Sequence, residues 1–304
     1  MANLAAIDFY FVVVNYHSTP LIRLLISSIE ALELPEASQI DYQILAVNNS
    51  PEDTAIHQLA TMVKQLSVIE AQANLGFGHG CNLALQQIYQ INPKALVWLI
   101  NPDTLLCPNA LAYVNAALAE EPDIAILGTG ITDTQGEAWF SRGTFNPWLG
   151  YIGHRDSDRR AGHRDESMKL SMPSRWVSGC SLIVNLANFA DCPLFDTRFF
   201  LYYEDNDLCE RVFRAGLKVR VTRESLVIHD VSAIVRQDWS NKYKNTTFGR
   251  LLFLQTHGKI TGFLVNIALI IGLIVVFGPF KPSVSQGRVQ GLWMFLSKGL
   301  LSRG

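Results

Sequence analysis

The 304-residue chain is 49% apolar and 17% charged, with a formal net charge of −2. This excludes a disordered polymer and leaves ample length for a sizeable core, in one large domain or two small ones. Residues 231–304 hold nine Lys or Arg against one acid, Asp238, a net +8 that leaves the first 230 residues at −10. An acidic folded part argues against nucleic acid as a partner, and a basic, apolar C-terminal segment is the pattern of a peripheral membrane protein.

The five cysteines, Cys81, Cys107, Cys180, Cys192 and Cys209, are odd in number, widely spaced and without a C-x-x-C pair. A disulfide framework or zinc site is not expected, and a reducing cytoplasmic compartment is the simpler reading. Met1-Ala2-Asn3-Leu4 puts no basic region ahead of Phe9–Val14. That run is expected as a first buried strand, not a secretory signal.

Over the first 130 residues short apolar runs alternate with helical patterns. Strands are predicted at Phe9–Val14, Tyr42–Val47, Val68–Ala71, Ala95–Ile100 and Ile124–Gly128, and helices at Leu21–Leu32, Ala55–Leu66, Cys81–Tyr89 and Asn109–Ala119. This alternation predicts βαβ units, an α/β class and a mainly parallel sheet, with ligand chemistry at the strand C-terminal ends. The loops there are Asn15-Tyr16-His17-Ser18, Asn48-Asn49-Ser50, Asn74-Leu75-Gly76-Phe77-Gly78 and Asn101-Pro102-Asp103-Thr104.

Residues 145–175 interrupt the pattern with a polar segment that includes His154-Arg155-Asp156-Ser157-Asp158-Arg159-Arg160. It reads either as a functional loop or as a solvated excursion. A strand is predicted at Arg175–Val184. Within it Trp176 precedes the small residues Ser178-Gly179-Cys180, which would let a substrate approach the backbone closely. Further on, an aromatic strand at Phe199–Tyr203 is expected to feed an amphipathic helix that opens with Glu204, Asp205 and Asp207. Carboxylates there suit a catalytic base, or simply an acidic first turn with Asp207–Arg211 and Glu210–Arg214 as i,i+4 pairs. His229 follows an apolar strand at Ser225–Ile228.

From Ile260 to Phe280 run 21 residues without a charge, bounded by Lys259 and Lys281. The length suffices to cross a bilayer of roughly 30 Å, although Gly262, Asn266, Gly272, Gly278 and Pro279 also suit an interfacial hairpin or a buried helical pair. The tail from Lys281, with Leu292, Trp293, Phe295, Leu296, Leu300 and Leu301 and no acids, reads as an amphipathic interfacial anchor.

Asp103 on its loop suits a divalent cation beside a diphosphate, or plain Asn-Pro-Asp turn chemistry. His229 could complete a metal or phosphate site, although a lone His is more often structural. The Gly76-Phe77-Gly78 run offers amides at a helix start for a phosphate, or a tight turn; it is neither a Walker loop nor a dinucleotide fingerprint.

The order of these motifs, Asn15-Tyr16-His17, Val47-Asn48-Asn49-Ser50, Asn74-Leu75-Gly76-Phe77-Gly78, Asn101-Pro102-Asp103, Ser178-Gly179-Cys180, Tyr203-Glu204-Asp205-Asn206-Asp207-Leu208 and His229, resembles the family 2 glycosyltransferases, and within them the bacterial rhamnosyltransferase branch, from about Phe9 to about Gly258. The resemblance implies a GT-A type nucleotide-binding sheet over residues 1–258, with a nucleotide-sugar half to about 130, an acceptor half beyond it, and a membrane-associating tail at 259–304. It implies inverting transfer from a nucleoside diphosphate sugar, with dTDP-rhamnose the best guess, to a saccharide or lipid-linked acceptor in cell-surface polysaccharide synthesis on the cytoplasmic side of the membrane.

By position in the family pattern, Asp205 matches the general base, with Glu204 beside it. Asp103 matches the carboxylate that holds Mg²⁺ or Mn²⁺, and His229 a residue near the diphosphate. Tyr16, Asn48, Asn74, Gly76 and Asn101 fall on the donor side, and Trp176, Gly179, Cys180 and Asp207 on the acceptor side. The chain has Asn48 where the family usually has Asp, and Asn101 where a full Asp-x-Asp has its first acid, so metal affinity is expected to be reduced. Two other readings are a nucleotidyltransferase, disfavoured by the absence of an N-terminal Gly-rich phosphate loop with Arg or Lys, and a non-catalytic membrane partner. Retention of Asp103, Asp205 and His229 speaks against the latter.

Overall fold

A computed structural model describes residues 8–33, 41–155, 169–230 and 238–299. In chain order the elements are β1 (Phe9–Asn15), α1 (Thr19–Glu30), β2 (Tyr42–Asn48), α2 (Ala55–Met62), β3 (Leu66–Glu70), α3 (Phe77–Ile91), β4 (Leu96–Ile100), β5 (Thr104–Leu106), α4 (Ala110–Glu120), β6 (Ile124–Asp133) and β7 (Ala138–Phe140). There follow β8 (Arg142–Asn146), β9 (Tyr151–Arg155), β10 (Ser171–Pro173), β11 (Ser181–Asn185), α5 (Glu204–Arg214), β12 (Lys218–His229), α6 (Trp239–His257), α7 (Ile260–Phe277) and α8 (Pro282–Met294).

One sheet runs β10-β12-β6-β11-β4-β1-β2-β3, with β5 added to β12 and β7 to β6. Its β4-β1-β2-β3 half is parallel, as the βαβ spacing predicts. The other half is mixed, because β11 enters antiparallel to both β4 and β6 while β12 lies parallel to β6. The seven residues of β1 are all buried, the continuous apolar run of a central strand covered on both faces. Beneath the sheet centre Trp98 Nε1 donates to Ser181 Oγ at 2.9 Å, and Thr129 Oγ1 lies 2.8 Å from the same hydroxyl. The polar atoms of this inner layer are thereby satisfied.

Several expectations are corrected. Phe199–Tyr203 is not a strand: Tyr202 and Tyr203 have φ of 71° and 73°, outside any extended ladder. Of Arg175–Val184 only the end is strand, since Gly179 N–H and Cys180 N–H donate to the side chains of Asp205 and Ser178. Helix α2 stops at Met62, and Leu66 opens β3. The polar interruption begins as the hairpin β8–β9, and residues 156–168 lie outside the described ones.

A second, smaller core joins Phe199, Phe248, Leu251, Leu252, Phe253, Leu254, Ile270 and Phe295. Through it α6 links the site-bearing loop to the C-terminal helices. The tail expected as a surface anchor is only partly one: α8 presses Gly287 and Gly291 against the backbone of Ser240 and Lys244 in α6, and Phe295 is buried. Trp293 remains 71% exposed, while Leu300 and Leu301 lie outside the described residues.

Candidate active site

The parallel register sets Asn15 opposite Asn48 and Asn48 opposite Glu70, so three polar side chains end adjacent strands in a row. Asn15 Nδ2 donates to Asn48 Oδ1 at 3.2 Å and to Asp53 Oδ2 at 3.1 Å, and Asn48 Nδ2 donates to Glu70 Oε2 at 3.2 Å. Burial pushes the Asp53 carboxyl up, but hydrogen bonds from Asn15, Thr19 and the Ala55 amide, with His17 nearby, outweigh it and hold the group below the usual carboxylate range. Asp53 and Glu70 thus bring carboxylates to a row in which Asn48 has none, and sequence reading missed both. Asp53, an acid just beyond a strand-end Asn-Asn-Ser run, was the available signal. Tyr16 stands at the rim, 55% exposed.

Asn49 links this row to the next loop, donating to Asn74 Oδ1 at 3.2 Å and to Gly76 O at 3.0 Å. The Leu75 amide donates to Asn49, the Gly76 amide to Asn74 and the Phe77 amide to Phe200 O. These three amides are therefore engaged inside the protein, and the loop is a tight turn at their level. Gly76 has a φ of +82°, and a Cβ there would lie 2.0 Å from Phe200 O. Only glycine lets the Phe199–Tyr203 segment sit on this loop.

That segment delivers Glu204 and Asp205 to the start of α5. Two consecutive left-handed residues are costly for non-glycine side chains, and α6 holds them: Gly249 lies against the Tyr202 carbonyl and the Tyr203 ring, and Tyr203 is 6.1 Å ring to ring from Phe253. Asp205 Oδ2 accepts the Gly179 amide at 2.9 Å, and Oδ1 accepts the Asn206 amide at 2.8 Å. Glu204 is buried, and its Oε2 has no hydrogen-bond partner. Burial, with the Asp205 charge adding to it, pushes Glu204 up to about 8. Burial also raises Asp205, against the pull of its amide donors. Those donors favour the ionised form of Asp205, whereas Glu204 Oε2 has no donor to favour its own.

Asp103 meets His229 because β5 pairs with β12, Asp103 Oδ2 lying 3.2 Å from His229 Nε2. Both residues are buried, and both Asp103 Oδ1 and His229 Nδ1 lack a partner. The thiol of Cys180 is buried and raised well above its usual range by burial and then by the charges of Asp103 and Asp205, so both carboxylates are near it. The Cys180 carbonyl accepts the Asn101 amide at 2.9 Å.

Asp103, His229, Asn101, Cys180, Gly179, Asp205 and Glu204 are brought together, and Tyr16, Asn48, Asn74 and Gly76 adjoin them through Asn49 and Phe200. Two predicted residues are engaged elsewhere. The indole N–H of Trp176 is shared by the carbonyls of Thr144 and Gly153 beneath the β8–β9 hairpin. Asp207 is buried, with one oxygen 2.7 Å from His257 Nε2 and the other accepting from Arg211 at 2.8 Å.

No group of three or more His, Cys, Asp or Glu converges as a metal cage among the described residues. A buried carboxylate and imidazole, each with an unpartnered atom, nevertheless fit a cation that takes its remaining ligands from a diphosphate and water, the usual habit of Mg²⁺.

The family described as glycosyltransferase like family 2 matches residues 6–245, and the chain belongs to it. The N-acetylglucosaminyl-diphospho-decaprenol L-rhamnosyltransferase of Mycobacterium tuberculosis is 26% identical over 221 residues, covering 67% of this chain and 72% of that protein. Among solved structures, GalNAc-T7 with UDP, GalNAc and Mn²⁺ is similar at a TM-score of 0.65 and 11% identity, over 97% of this chain and 57% of that one. S. aureus TarS with UDP-GlcNAc gives 0.56 at 14% identity, over 94% and 81% of the two chains. The mannosyltransferase PcManGT from Pyrobaculum calidifontis with GDP-Man and Mn²⁺ gives 0.55 at 13%, over 97% and 90%. These structures establish the GT-A fold, a mixed sheet flanked by helices.

Proposed function

We propose that this protein is an inverting transferase that moves a sugar, rhamnose from dTDP-rhamnose being the best candidate, from a nucleoside diphosphate to a saccharide or lipid-linked acceptor in cell-surface polysaccharide synthesis. The observation that carries the reading is the Asp205 carboxyl, which accepts two backbone amides beside the buried Glu204, in the same site as the buried Asp103–His229 pair. Similarity to a rhamnosyltransferase whose name specifies a diphospho-decaprenol acceptor supports the choice of donor and acceptor class.

In this reading Asp205 takes the proton of the acceptor hydroxyl as its oxygen attacks the anomeric carbon. The bond from that carbon to the diphosphate oxygen breaks, and the configuration inverts. Asp103 and His229 would hold Mg²⁺ or Mn²⁺, which supplies positive charge against the departing diphosphate. Tyr16, Asn48 and Asn74 line the nucleoside side, and the Gly179–Cys180 backbone the acceptor side. Helix α7 is long and apolar enough to cross a membrane, with a mean hydropathy of 2.7 and 17% of it buried. With the basic C-terminal segment it supports association with the cytoplasmic membrane surface.

The test is transfer of labelled sugar from a panel of nucleoside diphosphate sugars to an N-acetylglucosaminyl diphospholipid, with and without EDTA. Donor-selective, metal-dependent transfer is expected. Failure of every donor in folded protein would overturn the reading.

A further inference from the structure

The turn between β8 and β9 is clamped onto the start of α7, yet turns its largest side chains outward. Asn266, 2% exposed in the middle of an otherwise apolar helix, donates to Leu149 O at 3.1 Å, to Gly150 O at 3.3 Å and to Gly262 O at 2.7 Å, and it accepts from Arg250 Nε at 2.7 Å. Gly150 has a φ of +61°, and a Cβ there would lie 2.2 Å from Asn266 Nδ2. Thr261 Oγ1 donates to Trp148 O, and the Lys259 amide to Pro147 O. A buried polar residue in a largely apolar helix thus ties this turn to the helix and to Arg250 of α6.

The side chains of the clamped turn are nevertheless largely exposed: Trp148, Leu149 and Tyr151 are 63%, 61% and 57% exposed. Beside them α7 uses only a narrow stripe, Gly262, Asn266 and Ile270, for burial. Its remaining faces, including Leu264, Leu269 and Val276, are exposed and apolar. The charge around this surface has one sign. Residues 142–155 contain no acid, residues 239–304 contain none, and Lys259 Nζ lies 5.5 Å over the Trp148 ring. An aromatic turn, an apolar helix and a rim of cations fit an anionic lipid surface: the aromatic rings belong at the headgroup level and the cations pair with phosphates.

We infer that the Trp148–Tyr151 turn is a second membrane-inserting element, entering an anionic bilayer beside the first turn of α7. The inference rests on the membrane association proposed above. It also gives the clamp a purpose, since Arg250 bonds Asn266 and acts on the neighbouring Tyr203, the residue before Glu204. The turn that meets lipid and the corner that aims the carboxylates share one arginine.

The full chain and a Trp148→Ser/Leu149→Ser double variant are compared by flotation with phosphatidylcholine vesicles, with and without phosphatidylglycerol. Melting temperature and turnover of a water-soluble acceptor are the controls. The expected result is binding of the parent chain to anionic vesicles and a loss of at least about tenfold in partition for the variant, at unchanged melting temperature and soluble turnover. Equal partition of the two proteins would overturn the turn as an inserting element while leaving membrane association standing. A parent chain that ignores vesicles but dimerises, with a monomeric variant, would overturn both and assign the surface to a second copy.

Discussion

His257 Nε2 lies 2.7 Å from Asp207 Oδ1, a fully buried contact between the last residue of α6 and the first turn of the helix that carries Glu204 and Asp205. Because the carboxylate accepts, Nε2 carries the hydrogen. Arg214 Nη2 adds a 2.6 Å bond to the His257 carbonyl, so two ties set the pitch of α5 against α6. His257→Leu leaves a buried carboxylate oxygen without its donor, at a cost of about 2–4 kcal/mol in urea denaturation. Steady-state kinetics should show kcat falling more than donor KM rises, with partial recovery in His257→Gln.

The two carboxyls at the start of α5 predict opposite kinetic outcomes. Asp205→Asn should lower kcat by roughly 10²–10⁴ with donor KM little changed, whereas Glu204→Gln should stay within a few-fold of the parent. Normal turnover in Asp205→Asn would remove that residue from the chemistry.

Glu204 also sets a stability slope. It releases its proton near 4.5 when unfolded but only near 8 when folded. Between those values the folded state binds more protons, so stability falls as pH rises and levels off above about 8. Melting temperatures at pH 5, 7 and 9 should show this decline in the parent chain and a flatter profile in Glu204→Gln.

Much of the parallel half of the sheet was legible in the sequence because parallel strands write themselves as apolar runs ended by polar residues. The runs at Phe9 and Tyr42 reveal both the strands and the row of Asn15 and Asn48 at their ends. Phe199–Tyr203 misled because aromatic content suits a strand, while the decisive facts, a collision at Gly76 and support from Gly249, Arg250 and Phe253, lie far away in the chain. The family pattern puts Asp207 on the acceptor side, and nothing near it in the chain reveals its buried partner, His257, 50 residues downstream. The C-terminal helices were visible as apolar segments, but which faces meet α6 depends on Gly287 and Gly291, and glycines in a helical pattern do not announce a close approach.

The Asp103–His229 pair predicts a metal dependence that differs between its members. Asp103→Asn removes the only charge the pair brings to a cation, and calorimetric titration of Mn²⁺ in the presence of dTDP should show affinity reduced by at least about tenfold. His229→Ala should reduce it less and also loosen Trp139, whose ring lies 4.5 Å from the imidazole. Unchanged Mn²⁺ affinity in Asp103→Asn would move the metal to other ligands.

Gly76 and Gly136 share a left-handed backbone, with φ of +82° and +80°, but not a neighbourhood. A Cβ at Gly136 meets nothing within 4 Å, so Gly136→Ala carries only the conformational cost, about 1 kcal/mol. A Cβ at Gly76 would lie 2.0 Å from the carbonyl of Phe200 and 3.0 Å from its ring, and neither can retreat without dragging Tyr202 and Tyr203 from their corner. Gly76→Ala should therefore cost about 3 kcal/mol or more in denaturation, and it should depress donor binding, because the Asn49–Asn74 bonds share the same loop. Equal costs at the two positions would mean that the Phe199–Tyr203 segment yields freely, and Gly76 would then have no part in aiming Asp205.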